Sequence, residues 1–348
     1  MPSTTRFPGG LAEVVERIRA SGMVPGLWLE PEVVGVLSPA ASALPPDAFF
    51  QRHGHRVVEH ERYHLDLRHP GARAHLDGVV DRLIDEFGIG YFKLDYNINS
   101  GAGTDVATAS KGAALLDHNR AHLAWIDGVL DRHPSLVLEN CGSGAMRMDF
   151  ALLSRMQLQS TSDQQDFRHY PVIAAAAPLS MLPEQAANWA YPQPVMSDER
   201  IAFSLATGML GRLYLSGYLN RMSPGQRALV AEAVTAQKAL RGTISTSRPF
   251  WPAGLPRWDS AWVALGIEAD DVTLLTVWNR EADGSAIRLL IPHGVGRGLE
   301  VRTLFPASLG GWEIEWDDAD GVLTLGNLTG DVSARVIELT TARPGPTE

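Results

Sequence analysis

Cys141 is the one cysteine in this 348-residue chain, and it cannot close an internal disulfide. Nothing in the sequence therefore demands an oxidising compartment. Basic clusters are missing as well. The formal net charge of -10 argues against a phosphate-rich partner, so no nucleic acid is expected. No run of about eighteen apolar residues is present, so no membrane span is expected. The first eleven residues carry no apolar stretch of the signal-peptide kind, and a cytoplasmic location is the expectation. There is no internal repeat and no low-complexity tract. His60, His64 and His69 match no usual ligand spacing and read as solvated loop histidines. Gly142-Ser143-Gly144 follows a strand, but no helix-opening glycine fingerprint or following lysine makes it a phosphate loop. No metal and no cofactor are expected.

What is present is core-forming material, with 45% hydrophobic residues. Up to about residue 240 the pattern alternates helix and strand. Leu11, Val14, Val15 and Ile18 recur at helical spacing before Gly22. Residues 70–87 form an amphipathic helix with Leu76, Val79, Val80, Leu83, Ile84 and Phe87 on one stripe, ended by Gly88. A further helix covers residues 113–132. Strands are expected over 23–30, 91–96, 136–141, 156–162, 185–191 and 209–216. Several of these strands alternate apolar and polar faces, as Phe92 and Leu94 do with Lys93 and Asp95. A doubly wound sheet would bury both faces, so a barrel whose polar interior opens on a site fits better. The expected fold is thus a (β/α)8-type TIM barrel, incomplete at about six strands, over residues 1–241. After a Pro- and Trp-rich linker, short alternating runs from Trp262 onward predict a C-terminal antiparallel β-sandwich within residues 242–348.

Two carboxylates stand at predicted strand ends. Asp95 closes Tyr91-Phe92-Lys93-Leu94-Asp95, at the end where barrel enzymes place reactive groups. Lys93 points to the same side and would hold that carboxylate ionised; the bland alternative is a buried Lys–Asp ion pair. Asp163 closes Ser160-Thr161-Ser162-Asp163, where a helix N-cap is the competing reading, shared by Asp166. A third strand ends in Glu30 and Glu32. There Trp28 would serve as a platform for a sugar face with Glu30 as its anchor, against a core tryptophan with a surface glutamate. A magnesium site on Asp95, Glu139 and Asp163 is also conceivable, but Lys93 would compete with the cation.

Five segments occur in order: Gly26-Leu27-Trp28-Leu29-Glu30-Pro31-Glu32, Phe92-Lys93-Leu94-Asp95-Tyr96-Asn97, Glu139-Asn140-Cys141-Gly142-Ser143-Gly144-Ala145-Met146-Arg147, Ser160-Thr161-Ser162-Asp163 and Leu210-Gly211-Arg212-Leu213-Tyr214-Leu215-Ser216-Gly217. Together they resemble the α-galactosidases (melibiases) of glycoside hydrolase family 36. The resemblance implies a retaining glycosidase with Asp95 as nucleophile and Asp163 as acid/base, their carboxyls about 5–5.5 Å apart. It implies a galactose pocket lined by Trp28, Lys93, Asn97, Cys141 and Gly144. Arg62 is aligned with a substrate-contacting arginine, although its spacing to Leu65-Asp66-Leu67 differs. It also implies that an N-terminal sandwich domain and the first two barrel strands are absent, the latter carrying an adjacent aspartate pair that grips galactose hydroxyls. The Gly-Gly-Gly-Arg stretch of many members is altered to Gly144-Ala145-Met146-Arg147. Two functions therefore stay open: a hydrolase of terminal α-galactosides in oligosaccharides or glycosides, or a non-catalytic or weakly active carbohydrate-binding or assembly fragment. Unpaired barrel edges favour association with a second copy or a complementing chain.

Overall fold

The computed structural model describes residues 3–341, so the ends of both expected domains, residues 1–2 and 342–348, lie outside the described residues. Packing divides the chain into two compact units, Met1–Gln159 and Ser160–Glu348. Six short strands form one parallel sheet in chain order: β1 (Gly26–Leu29), β2 (Tyr91–Leu94), β3 (Val137–Asn140), β4 (Leu158–Ser160), β5 (Ala186–Ala190) and β6 (Arg212–Leu215). This is the sheet of an incomplete (β/α)8 barrel, with six strands where a full barrel has eight. Each strand is shorter than its sequence pattern suggests. The residues that follow β2 and β3 leave the ladder and turn into loops that carry the candidate site.

In the first unit the sheet is backed by helices α1 (Leu11–Ala20), α2 (Pro70–Phe87) and α3 (Lys111–Arg132). The α2 stripe buries Leu76, Val80, Leu83 and Phe87 in one core with Phe92 and Leu94 of β2, Leu138 of β3, and Ile126 and Val129 of α3. Each such side chain contributes roughly 1.5–3 kcal/mol on burial. Helix α2 stops where the glycine predicts, because Gly88 turns left-handed at φ 60°. Arg19 of α1 then donates to the freed carbonyls of Phe87 and Gly88 at 2.5 and 2.7 Å. Gly26, which opens β1, lies so close to its neighbour that an added Cβ would stand 2.2 Å from the Tyr91 ring.

In the second unit, helices α4 (Tyr170–Ala176), α5 (Asp198–Ala206) and α6 (Pro224–Thr246) accompany β5 and β6. The β-sandwich follows as a five-stranded sheet, ordered β7 (Arg248–Phe250), β8 (Trp262–Ala269), β9 (Val272–Asn279), β14 (Ser333–Thr341), β11 (Leu299–Phe305), and a three-stranded sheet of β10 (Ala286–Leu290), β13 (Val322–Asn327) and β12 (Trp312–Asp317). Leu275 and Val277 of the first sheet meet Leu289, Leu323 and Leu325 of the second in one core. Strand β7 corrects the reading of this stretch as linker alone. Its Pro249 is tolerated because β7 is an edge strand, where a missing N–H leaves no ladder bond unmade. Among the described residues, no helix is long and apolar enough to cross a membrane.

Candidate active site

In the first unit the carboxyl ends of β1, β2 and β3 deliver their loops to one place. Asp95 follows β2, and its backbone N–H donates to Leu29 O of β1 at 2.8 Å. Its carboxylate is nearly enclosed. Trp28 Nε1 donates to Oδ2 at 3.0 Å, while the N–H groups of Tyr96 and Ser143 donate to Oδ1 at 2.8 and 3.2 Å. Burial alone would raise the pKa of this acid. Hydrogen bonds from Trp28, Asn97, the Tyr96 amide and Cys141 more than offset that and hold it below the ordinary aspartate value. Trp28 is itself half-exposed, so its indole offers a ring face as well as a donor.

The other expected pocket residues lie in the same unit, with Asn97 and Cys141 in hydrogen-bond reach of this carboxylate. Glu30, past the end of β1, accepts from both Arg62 Nη1 (2.7 and 2.6 Å) and Asn97 Nδ2 (3.0 Å). Ser143 Oγ then donates to Asn97 Oδ1 at 2.8 Å. Glu30 thus holds Arg62 and Asn97 together at the end of β1. Lys93 Nζ lies 3.5 Å from Glu139 Oε1, and the Tyr91 hydroxyl donates to the other oxygen of Glu139. With an ammonium and a hydroxyl on it, Glu139 is poorly placed to serve a cation. Cys141 is buried, and burial pushes its thiol up to about 11, with Lys93 pulling down and Asp95 pushing further up. It acts here as a neutral neighbour of Asp95. Gly144 takes φ +85° in the turn after β3, and its carbonyl accepts from Gly142 N at 3.1 Å. Trp28, Arg62, Lys93, Asn97, Cys141 and Gly144 thus all lie within the unit that carries Asp95.

A second, deeper cluster went unrecognised in the sequence. Glu32 is buried, and its Oε2 accepts from His118 Nε2 at 2.8 Å. Arg147 Nη1 donates to its Oε1, and His122 Nε2 lies 3.8 Å from that same oxygen. Burial would raise the Glu32 pKa, but His122, Arg147 and His118 together hold it well below the carboxylate norm. His64 corrects the solvated-loop reading. It is fully buried, stacked on Phe50 at 4.2 Å, with Nδ1–H donating to Leu65 O and Nε2 accepting from the Tyr96 hydroxyl. Desolvation drives both His64 and His122 down to about 4, so both are neutral near pH 7. The available signal was the four-residue step from His118 to His122, one turn of α3 on a single face.

Glu32, His64 and His118 present ligand atoms close enough together for a metal ion. Their hydrogen bonds do not fit one. His118 Nδ1 accepts the Leu67 amide at 3.1 Å, so its proton sits on Nε2 and points at Glu32. No lone pair remains there for a cation, and the Arg147 charge already occupies the carboxylate.

Asp163 belongs to the second unit, in an irregular exposed segment after β4. It caps no helix: α4 begins at Tyr170, and Asp166 accepts from Arg168 N at 2.9 Å. Burial raises the Tyr191 hydroxyl to about 12, with the Asp163 charge adding to the rise. Trp189 of β5 stacks near Tyr191 at 5.9 Å and meets Tyr214 of β6 edge-on at 5.1 Å, so an aromatic wall stands at the ends of these strands.

A family model described as Melibiase matches residues 2–245. The bifunctional alpha-galactosidase/sucrose kinase AgaSK of Mediterraneibacter gnavus is 24% identical over 292 residues, covering 78% of this chain and 29% of that protein. The alpha-galactosidase of Escherichia coli is 29% identical over 163 residues, 46% of this chain and 22% of that one. The solved GH36 alpha-galactosidase AgaB from Geobacillus stearothermophilus is alike in fold, with a TM-score of 0.82 at 18% identity over 98% of this chain and 48% of that one. The chain thus spans about half of that solved chain and under a third of the two curated relatives.

Proposed function

The chain belongs to the melibiase family, and from that premise we propose that it is a retaining glycoside hydrolase acting on terminal α-galactosidic bonds of oligosaccharides or glycosides. The observation that carries the reading is Asp95, a carboxylate at a strand's carboxyl end kept ionised by converging donors. In the proposed reaction Asp95 attacks the anomeric carbon while Asp163 gives a proton to the departing oxygen. Asp163 then takes a proton from water, which attacks the glycosyl ester and frees Asp95. Trp28 offers its ring to a sugar face, and Arg62, Lys93, Asn97, Cys141 and Gly144 line the galactose site. Residues 1–241 would carry the barrel part and residues 242–348 the sandwich, in a cytoplasmic protein. Its open sheet edges would favour a second copy or a complementing chain.

The test is release of p-nitrophenol from p-nitrophenyl α-galactoside, repeated with Asp95→Gly. The variant should be inactive, and azide should restore turnover with the β-galactosyl azide as product. Undiminished release by Asp95→Gly would end the nucleophile assignment. The partial span relative to its relatives motivates a second reading, a carbohydrate-binding or assembly fragment. Galactoside binding without release by the unaltered chain would favour it.

A further inference from the structure

Two backbone amides, from Tyr96 and Ser143, converge on one oxygen of Asp95. They belong to loops that follow different strands, β2 and β3, so their convergence needs a group that sets one loop against the other. The Ser143 Oγ bond to Asn97 Oδ1 at 2.8 Å is one such link, and Arg147 supplies a second from the buried side. Its guanidinium lies over the Tyr96 ring, 4.2 Å from the centroid, and its own carbonyl accepts from Asn140 Nδ2 at 3.2 Å. The turn between Ser143 and Arg147 is closed by Met146 N–H on Gly142 O at 3.1 Å. A Cβ on Gly142 would come within 3.3 Å of the Arg147 side chain, so the turn is folded tightly against it. Arg147 is held from beneath by Glu32 and by His122, whose Nδ1 lies 3.2 Å from Nη2.

We infer that the buried Glu32–Arg147 ion pair is a positioning device for Asp95: it clamps the loop after β3 onto Tyr96 and so aims both amides at Oδ1. Neither residue touches Asp95. This rests on the nucleophile role proposed above for Asp95, but its structural half does not. A planar, bidentate cation suits the task, because one end must pair with a carboxylate while the face lies on a ring. The titratable group beside Asp95 is Cys141, with Lys93 and then Glu139 beyond it, and those facing the ion pair are His64, His118, His122, Tyr96 and Asp149. All of them stay in place in the variants below.

The experiment is a carbon-13 carboxyl NMR titration of the full chain labelled at aspartate, with Asp95 assigned by its loss in Asp95→Asn, alongside steady-state kinetics. Arg147→Met should move the Asp95 titration upward by about one unit, the size of one lost charge-assisted hydrogen bond. It should lower kcat about tenfold or more, with KM for p-nitrophenyl α-galactoside within about twofold. Arg147→Lys keeps the charge but loses the flat face, and should fall between the two. Glu32→Gln combined with Arg147→Met should be no worse than Arg147→Met alone, since both remove one clamp. An unmoved Asp95 titration in folded Arg147→Met and Arg147→Lys would overturn the inference. Because the titration needs no turnover, an inactive parent chain with a shifted Asp95 in the variants defeats the hydrolase reading while leaving the clamp standing. An active chain with an unmoved Asp95 does the reverse.

Discussion

Asp95 and Asp163 both follow strands of the parallel sheet, and their settings are opposite. Asp95 is almost wholly enclosed, with donors on both oxygens, and its neighbours are themselves tied to Glu30 and Arg147. Asp163 stands exposed in an irregular segment, with its charge acting on the Tyr191 hydroxyl. The double displacement proposed above would make use of this contrast. A nucleophile is best ionised and aimed before substrate arrives, whereas an acid/base must give and regain a proton in each cycle.

The largest expected effect comes from breaking the fixed side. Asp95→Asn should cost about a thousandfold or more in kcat, read as p-nitrophenol release, because in the proposed reaction Asp95 forms the glycosyl ester. An effect below tenfold would remove the distinction between the two carboxylates. Next is the free side. Asp163→Asn should depress raffinose hydrolysis by about a hundredfold or more, within the range general acids supply. It should leave an initial burst of p-nitrophenol from the aryl galactoside, whose leaving group needs no proton. Equal losses on the two substrates would assign Asp163 some other role.

Trp28→Phe sharpens the comparison more gently. It keeps a ring but removes the Nε1–H that donates to Asp95, at an expected cost of about 1.5–3 kcal/mol for a bond to a charge. The acid limb of kcat/KM should move to higher pH by about one to two units, whereas Asp163→Asn should not move that limb. The smallest effect is on stability. His64 and His122 titrate near 4 when folded, against 6.5 as the ordinary value, so the unfolded chain binds more protons between those limits. Their contribution is complete above pH 6.5 and is lost as pH falls toward about 4. The lowered Glu32 acts in the same direction at still lower pH. Urea melts at pH 7 and pH 5 should show a lower midpoint at pH 5, and His122→Phe should narrow that gap.

Periodicity located all six sheet strands and the sandwich, because burial on one face leaves a regular trace in the residue pattern. It overran the strand ends, since Asp95 and Tyr96 continue the alternation in sequence although β2 ends at Leu94. It passed over β7, where proline masks an edge strand. At the site, the placing of Asp95 and Asp163 beyond strand ends was legible in the sequence. The layer beneath was not. Glu32, His64, the His118–His122 pair and Arg147 come from four separate segments, and a polar residue buried only by tertiary packing looks in one dimension like any surface residue. Only the His118–His122 step left a local signature.

Gly26 shows how far such indirect dependence reaches. Its missing side chain is the space that the Tyr91 ring fills, and the Tyr91 hydroxyl is one of the groups holding Glu139 beside Lys93. A methyl group at residue 26 would force that ring aside and loosen the lysine's setting without altering any residue that faces sugar. Anyone diversifying this pocket to accept new glycosides should therefore keep position 26 constant and vary the rim around Trp28 instead.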